Sequence, residues 1–141
     1  MSKKDRKNEA LSNVILFSGC DRKEIAQIAS LATEIDVPAG QVLAKEGEPG
    51  REFYVILDGK AGVEIAGKQV ATLGPGDFFG EMALLDQGPR AATVKADTEM
   101  EVAVLDPREF VSLIEAHPAV ARKVLKVMAG RLRQAEQAPT H

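Results

Sequence analysis

Apolar residues first recur at helical spacing just after Asp21. Ile25, Ile28 and Leu31 stand three residues apart, so they share one face of a helix. Asp21 and Glu24 have the spacing of a capping box, in which the two side chains satisfy each other's backbone N–H groups. The pattern predicts a short amphipathic helix that begins after Asp21 and opens the fold.

Between Thr33 and Leu105, short apolar runs alternate with turn-forming residues. Residues 53–57 and 102–105 are continuous apolar runs, and turn signals recur about every ten residues. Each signal contains glycine or proline, which supply a positive or a fixed φ. The signals are Pro38-Ala39-Gly40, Gly47-Glu48-Pro49-Gly50, Asp58-Gly59, Ala66-Gly67 and Gly74-Pro75-Gly76. Many short strands in one stretch predict a sandwich or a rolled barrel.

Helical spacing returns after Asp106-Pro107, where proline stands in the first turn. The predicted apolar face of this helix is Phe110, Val111, Leu113 and Ile114. Pro118 begins a second helical pattern, with apolar positions Val120, Val124, Val127, Met128 and Leu132. We expect the two helices to pack through Phe110, Leu113, Val124 and Leu125.

These elements predict one domain that is mainly β with flanking helices. Residues 10–137 form the domain, with a rolled β section over about 32–106 and two C-terminal helices over about 107–137. The charged residues 1–9 are expected to be flexible, and residues 138–141 form a short tail. No internal repeat or linker composition marks a second domain.

Composition and charge exclude several classes of protein. A chain of 141 residues can bury one core without disulfides or a structural metal. The formal net charge of -3 disfavours a globally basic nucleic-acid binder, because neutralising a duplex needs many Lys and Arg on one face. The one cysteine, Cys20, excludes an internal disulfide and is expected to be partly buried. No apolar run reaches the ~20 residues of a membrane span, which predicts a cytoplasmic protein without membrane contact.

The sequence contains no recognisable catalytic or metal-binding set. His117 and His141 are its two histidines, whereas a cupin-like metal barrel needs two or three histidines and a carboxylate at one site. No serine stands in a motif with a histidine that would activate it as a nucleophile. We therefore expect a protein that is not an enzyme and that carries neither a metal nor a cofactor.

Glu81 and Arg90 stand nine positions apart in a segment that is mostly apolar and small. Glu81 can accept hydrogen bonds from a sugar hydroxyl, and Arg90 presents a rigid fork of donors that matches phosphate oxygens. Gly80 precedes good helix formers, so a single helical turn with free backbone N–H groups is expected at residues 81–85. The alanines of the segment let a ligand approach the backbone. The combination predicts a sugar phosphate as the ligand.

Two motifs of this segment resemble the phosphate-binding cassette of cyclic nucleotide-binding domains, as in protein kinase regulatory subunits and the catabolite activator family. They are Gly80-Glu81-Met82-Ala83-Leu84-Leu85 and Pro89-Arg90-Ala91-Ala92-Thr93-Val94. The similarity extends over nearly all of residues 10–137, through Gly40-Gln41-Val42-Leu43, Glu46-Gly47-Glu48, Leu57-Asp58-Gly59 and Gly76-Asp77-Phe78-Phe79-Gly80. It implies a β-roll of roughly eight strands, a jelly-roll-like double-stranded β-helix, between an N-terminal helix and two C-terminal helices.

The resemblance also implies roles for individual residues. Arg90 would bind the exocyclic phosphate oxygens, and Glu81 the ribose 2′-hydroxyl. Backbone groups of Gly80, Met82, Ala83 and Ala91 would complete these contacts, and Val63 and Leu73 would line an apolar wall under the base. Kinase-type domains that prefer cyclic GMP resemble one another in carrying threonine directly after the arginine, where this chain has Ala91. Cyclic AMP is therefore the expected ligand, with cyclic GMP as the alternative.

The function implied by the resemblance is that of a regulatory sensor domain. Binding would be passed on through the C-terminal helices to an effector protein or domain that the sequence does not identify. The alternatives are a ligand-free interaction module of the same fold, or a regulatory fragment of a larger effector or transcription regulator. The module would dock a partner through the apolar face of Val120, Val124, Met128 and Leu132. Retention of Glu81 and Arg90 favours ligand binding.

Direct DNA binding by this chain is not expected. The catabolite activator family continues into a longer dimerisation helix and a helix-turn-helix, and no such pattern follows the last predicted helix. The sequence leaves the oligomeric state open.

Overall fold

The computed structural model describes residues 3–80 and 88–137. Two helices precede the strands: α1 (Lys3–Ser12) and α2 (Arg22–Leu31), joined through a 3-10 turn at Ile15–Phe17. The strands are β1 (Thr33–Val37), β2 (Val42–Ala44), β3 (Phe53–Asp58), β4 (Ala61–Ile65), β5 (Lys68–Leu73), β6 (Phe78–Phe79), β7 (Thr93–Ala96) and β8 (Met100–Leu105). They are followed by helices α3 (Pro107–Ala116) and α4 (Pro118–Gln137).

The strands pair antiparallel in two sheets. One sheet has the order β1-β8-β3-β6, and the other has the order β2-β7-β4-β5. Apart from the β4–β5 pair, strands that are neighbours in a sheet are not consecutive in sequence, so the chain crosses repeatedly between the sheets and rolls up into a jelly-roll-like body. The predicted fold class, a β-roll with flanking helices, is confirmed.

The apolar run at β3 is explained by burial on both of its faces. Phe53, Val55 and Leu57 point into a core shared with the helices, whereas Tyr54 and Ile56 point into a second core between the sheets. Side chains of a strand alternate between its faces, so a strand buried on both sides reads as continuously apolar. Strand β3 therefore separates the two cores of the domain.

Three helices begin at the local signals predicted from the sequence. At α2, Asp21 Oδ1 accepts from the backbone N–H of Glu24 at 2.8 Å, and Glu24 Oε1 accepts from that of Asp21 at 2.9 Å, which completes the capping box. At α3, Asp106 accepts from the backbone N–H of Arg108, with Pro107 in the first turn. Helix α4 begins at Pro118. None of the helices in the described ranges is long and apolar enough to cross a membrane.

The N-terminus differs from the expectation of a flexible segment over residues 1–9. Helix α1 begins at Lys3, so α2 does not open the fold. Leu11 is completely buried in the helical core, and Arg6 forms an ion pair of 3.3 Å with Glu101 of β8. Packing and long-range pairing order a segment whose local composition is highly charged, because most helical stability in proteins comes from tertiary contacts.

Two apolar residues of the C-terminal helices face outward rather than into the core. Val111 of α3 is 41% exposed, and Leu125 of α4 is 65% exposed. The predicted packing role of Leu125 is therefore wrong. Its neighbour Val124 is buried against the helical core, and one step along a helix turns the side chain by about 100°.

Candidate functional site

A cavity of about 540 Å³ opens where the second sheet meets the end of β6 and the segment before β7. Strands β4 and β5 supply Val63, Ala71 and Leu73, which form an apolar wall. The other lining residues described are Ala44, Gly50, Phe78, Phe79, Gly80, Gly88, Pro89, Arg90, Ala91, Ala92 and Val94. Among all these residues, Arg90 alone has a polar side chain.

The cavity contains five of the eight predicted site residues. Gly80, Arg90, Ala91, Val63 and Leu73 all line it. The other three predicted residues, Glu81, Met82 and Ala83, and the helical turn expected at residues 81–85 lie outside the described residues.

The backbone around Arg90 is held by the loop between β2 and β3. The N–H of Arg90 donates to the carbonyl of Glu48 at 2.8 Å, and the N–H of Gly47 donates to the carbonyl of Arg90 at 2.9 Å. Pro49 and Pro89 form an antiparallel bridge between the same two segments. The two prolines fix φ on both sides of this bridge, so the direction in which the Arg90 side chain leaves the backbone is defined.

The guanidinium of Arg90 lies beside Gly80 and next to the carbonyl of Glu52. Arg90 Nη2 donates to Glu52 O at 2.8 Å. A Cβ at Gly80 would collide with Arg90 Nη1 and would lie 2.8 Å from Glu52 O. Gly80 also has φ +83°, a conformation that favours glycine. Glycine is therefore required here both for the backbone conformation and for the space that Arg90 occupies.

Phe79 lines the cavity and packs against Tyr54, which belongs to the inter-sheet core. Their rings are stacked with centroids 4.7 Å apart, and the residues pair directly across β3 and β6. The Tyr54 hydroxyl donates to Glu52 Oε2 at 2.9 Å. Burial, followed by the hydrogen bond to Glu52 and the charge of that carboxylate, raises the pKa of Tyr54 to about 12, against a small lowering by the Arg90 charge. Tyr54 therefore donates to Glu52 at neutral pH.

This arrangement suits a ligand with a compact anion and a large apolar face. The guanidinium has a planar set of donors that can bind oxyanion oxygens in pairs. Val63, Ala71 and Leu73 offer a flat apolar wall for a ring system. Within the described residues, no group of three or more His, Cys, Asp or Glu side chains is placed to hold a metal ion.

Some residues of the site were not predicted from the sequence. Gly50 and Glu52 contact Arg90 because the loop before β3 packs against the segment before β7. Tyr54 is connected to the site through its hydrogen bond to Glu52. Ala71 could have been found, because it stands two residues before Leu73 in the same strand and therefore shares its face.

Comparisons with known proteins match the chain to one family. The family model for the cyclic nucleotide-binding domain matches residues 34–117. The chain is 31% identical over 132 residues to a CRP-like cAMP-activated global transcriptional regulator of Mycobacterium tuberculosis, covering 90% of this chain and 59% of that protein. It is 42% identical over 106 residues to the cAMP-dependent protein kinase regulatory subunit of Emericella nidulans, covering 74% of this chain and 26% of that one.

A solved structure shares the whole architecture. The N-terminal domain of a transcriptional regulator from Streptomyces coelicolor A3(2) superposes with a TM-score of 0.86 at 31% identity. The match covers 94% of this chain and 95% of that domain. The chain spans nearly all of that solved domain and only part of the two longer relatives.

Proposed function

Because this chain belongs to the cyclic nucleotide-binding domain family, we propose that it is a regulatory sensor domain that binds cyclic AMP in the cavity around Arg90. The observation that carries the proposal is a single guanidinium in a cavity whose other described lining side chains are apolar or absent. A cyclic nucleotide has the matching form, with one anionic phosphate and a flat purine.

In the proposed complex the phosphate oxygens accept from Arg90, and the purine lies against Val63, Ala71 and Leu73. Gly80 and Ala91 expose backbone groups to the phosphate and ribose, since neither has a side chain larger than a methyl group. Glu81 as the partner of the ribose 2′-hydroxyl, with backbone contacts from Met82 and Ala83, remains a prediction from the sequence.

The preference for cyclic AMP over cyclic GMP rests on two supports. Ala91 carries no hydroxyl that could bind the guanine amino group. Two relatives are described by name as cAMP-activated or cAMP-dependent.

Transmission through the C-terminal helices is part of the proposal. The Phe17 ring lies 6.1 Å from that of Phe53 on β3 and 5.9 Å from that of Phe110 on α3. Strand β3 begins immediately after Glu52, the residue whose carbonyl binds Arg90. A phosphate that binds the guanidinium would compete with this carbonyl for Arg90 Nη2, and loss of the bond is proposed to alter the packing of the helices on β3.

The alternative of a ligand-free module that docks a partner through α4 has less support. Val120 and Val124, half of the face predicted for docking, are buried in the domain's own core. Met128 packs against the same core. Three of the four residues of the face, Val120, Val124 and Met128, are therefore occupied internally.

Thermal unfolding with and without cyclic AMP tests the proposed function. A ligand that binds only the folded state raises the unfolding midpoint. At a free ligand concentration of about 100 times Kd, the free energy of unfolding rises by about 2.7 kcal/mol. Adenosine 5′-monophosphate is the matched control, since it has the same base and sugar without the cyclic phosphate. An unchanged midpoint at millimolar cyclic AMP would contradict the proposal and favour the interaction module.

A further inference from the structure

Gly50 lies directly against the side chain of Arg90. Gly50 is buried, and the three heavy atoms nearest to a Cβ placed there all belong to the Arg90 side chain: Nε, Cδ and Cζ. The Cδ and Cζ atoms would be only 2.6 Å away, closer than a real Cβ contact. Any side chain at position 50 must therefore displace the arginine.

Backbone conformation does not explain this glycine. The φ angle of Gly50 lies outside the left-handed region that favours glycine, so the strain that a side chain meets there does not arise at this position. Gly40, Gly47 and Gly76 show the opposite case, because each has a positive φ and none has an atom within 4 Å of a built Cβ. At Gly50 the absent side chain provides space rather than a turn.

The same loop also binds the far end of the arginine and its backbone. Glu52 O accepts from Arg90 Nη2 at 2.8 Å, and Glu48 O accepts from the Arg90 backbone at 2.8 Å. Gly50 N–H donates to the carbonyl of Gly88 at 3.2 Å. The segment from Glu48 to Glu52 thus contacts Arg90 at the backbone, along the side chain and at the guanidinium.

We propose that Gly50 is a positioning residue: its missing side chain forms a slot that holds the Arg90 side chain extended across the loop, with the guanidinium at the cavity. An arginine loses substantial rotamer freedom when it binds an anion. A slot that restricts the side chain before binding removes part of that loss, which is how preorganisation raises affinity. The role in ligand binding rests on the proposed function, whereas the slot itself does not.

A double-mutant cycle without ligand tests the slot. The four proteins are the wild type, Gly50→Ala, Arg90→Ala and the double variant, compared by thermal unfolding. With Arg90 present, Gly50→Ala should lower the unfolding midpoint by several degrees, because the methyl group displaces the arginine. In the Arg90→Ala background the slot is empty, so the same substitution should leave the midpoint unchanged or raise it through the lower entropy of the unfolded chain.

Gly74→Ala is the matched control. Gly74 has no atom within 4 Å of a built Cβ, has no positive φ and does not line the cavity. Its effect should be small and equal in both backgrounds. If Gly50→Ala fails to fold and the double variant folds, the slot is supported. Equal destabilisation in both backgrounds, or loss of folding in both, would overturn it.

A nucleotide titration then connects the slot to binding. Gly50→Ala should lower the affinity for cyclic AMP by about two- to tenfold relative to the wild type. This is the range expected for the cost of ordering one long side chain. Unchanged affinity would show that the slot does not prepare Arg90 for its ligand. If no variant, including the wild type, binds cyclic AMP, the proposed function fails while the stability cycle still decides whether Gly50 positions Arg90.

Discussion

Lys123 of α4 donates a hydrogen bond of 2.5 Å to the Glu24 carboxylate of α2. Glu24 Oε1 also accepts from the backbone N–H of Asp21 in the capping box. One carboxylate therefore caps α2 and binds α4. This contact ties α4, the proposed output element, to the helices that pack on the β-roll.

Because of the Glu24–Lys123 pair, the free energy of unfolding should depend on pH in the acidic range. The hydrogen bond from Lys123, followed by that from Asp21, lowers the pKa of Glu24 below its ordinary value of 4.5. A lowered carboxyl pKa gives stability that is present above pH 4.5 and is lost as pH falls through the folded-state pKa. Glu24→Gln should therefore lower the denaturant midpoint at neutral pH, and its difference from the wild type should shrink on acidification.

Glu48→Gln is the control for this experiment. Glu48 pairs with Lys45 at 4.0 Å, and the two side chains are 64% and 67% exposed. Exposed ion pairs of this kind contribute little to the free energy of unfolding, so the denaturant midpoint of Glu48→Gln should hardly change. A Glu24→Gln variant as stable as the wild type at neutral pH would contradict the role given to the pair.

Neighbouring residues of α4 should respond very differently to truncation. Val124 is 3% exposed and packs in the helical core, whereas Leu125 is 65% exposed. Val124→Ala should cost about 1–2 kcal/mol of the free energy of unfolding, from lost burial plus the cavity left behind. Leu125→Ala should change it by less than about 0.5 kcal/mol. Denaturant unfolding of both variants measures the difference, and equal losses would show that α4 is rotated from the orientation described.

Removing the Arg90 guanidinium should weaken binding of cyclic AMP strongly. A charge-assisted hydrogen bond contributes about 1.5–3 kcal/mol, so Arg90→Ala should reduce affinity by about tenfold to more than a hundredfold. Arg90→Lys should keep only part of the wild-type affinity, since lysine has the positive charge but lacks the planar set of donors of the guanidinium. Arg51→Ala is the control, because Arg51 is an exposed arginine on the adjoining loop. Calorimetric affinity that is the same for Arg90→Ala and the wild type would remove Arg90 from the site.

Tyr54 can be titrated without interference from other aromatic chromophores. The chain has one tyrosine and no tryptophan, so tyrosinate absorbance reports Tyr54 alone. Its pKa should be about 12 in the folded protein, above the ordinary value of 10. The native state keeps the Tyr54 proton to a higher pH than the unfolded chain does. The contribution of Tyr54 to the free energy of unfolding is therefore fully present below pH 10 and is lost as pH rises toward 12.

Glu52→Gln is the informative variant for this titration. It removes the carboxylate charge that helps to raise the Tyr54 pKa, so the titration midpoint should move toward 10. A folded-state midpoint near 10 in the wild-type protein would contradict the contact between Tyr54 and Glu52.

Features with a local cause could be predicted from the sequence. The capping box at Asp21 and Glu24 and the proline starts at Pro107 and Pro118 depend on residues within one turn of helix. The placement of Arg90, Gly80 and Ala91 around one cavity could also be predicted, because they stand in the two motifs that resemble the phosphate-binding cassette.

Features with a distant cause could not be predicted. Helix α1 is ordered partly by the pairing of Arg6 with Glu101, 95 residues away in the chain. Gly50 reads as a turn residue in the sequence, and its contact with Arg90 exists only after two loops have come together. The exposure of Leu125 depends on the rotation of α4, which apolar spacing defines to within about one residue.

The central claim, that this domain binds a cyclic nucleotide at Arg90, is tested most directly by isothermal titration calorimetry of the wild-type chain. Cyclic AMP and cyclic GMP are each titrated at two temperatures, so that a vanishing enthalpy at one temperature does not hide binding. We predict saturable binding of one nucleotide per chain, with cyclic AMP bound more tightly. Absence of saturable binding of either nucleotide at millimolar concentration, in protein shown to be folded, would contradict the account.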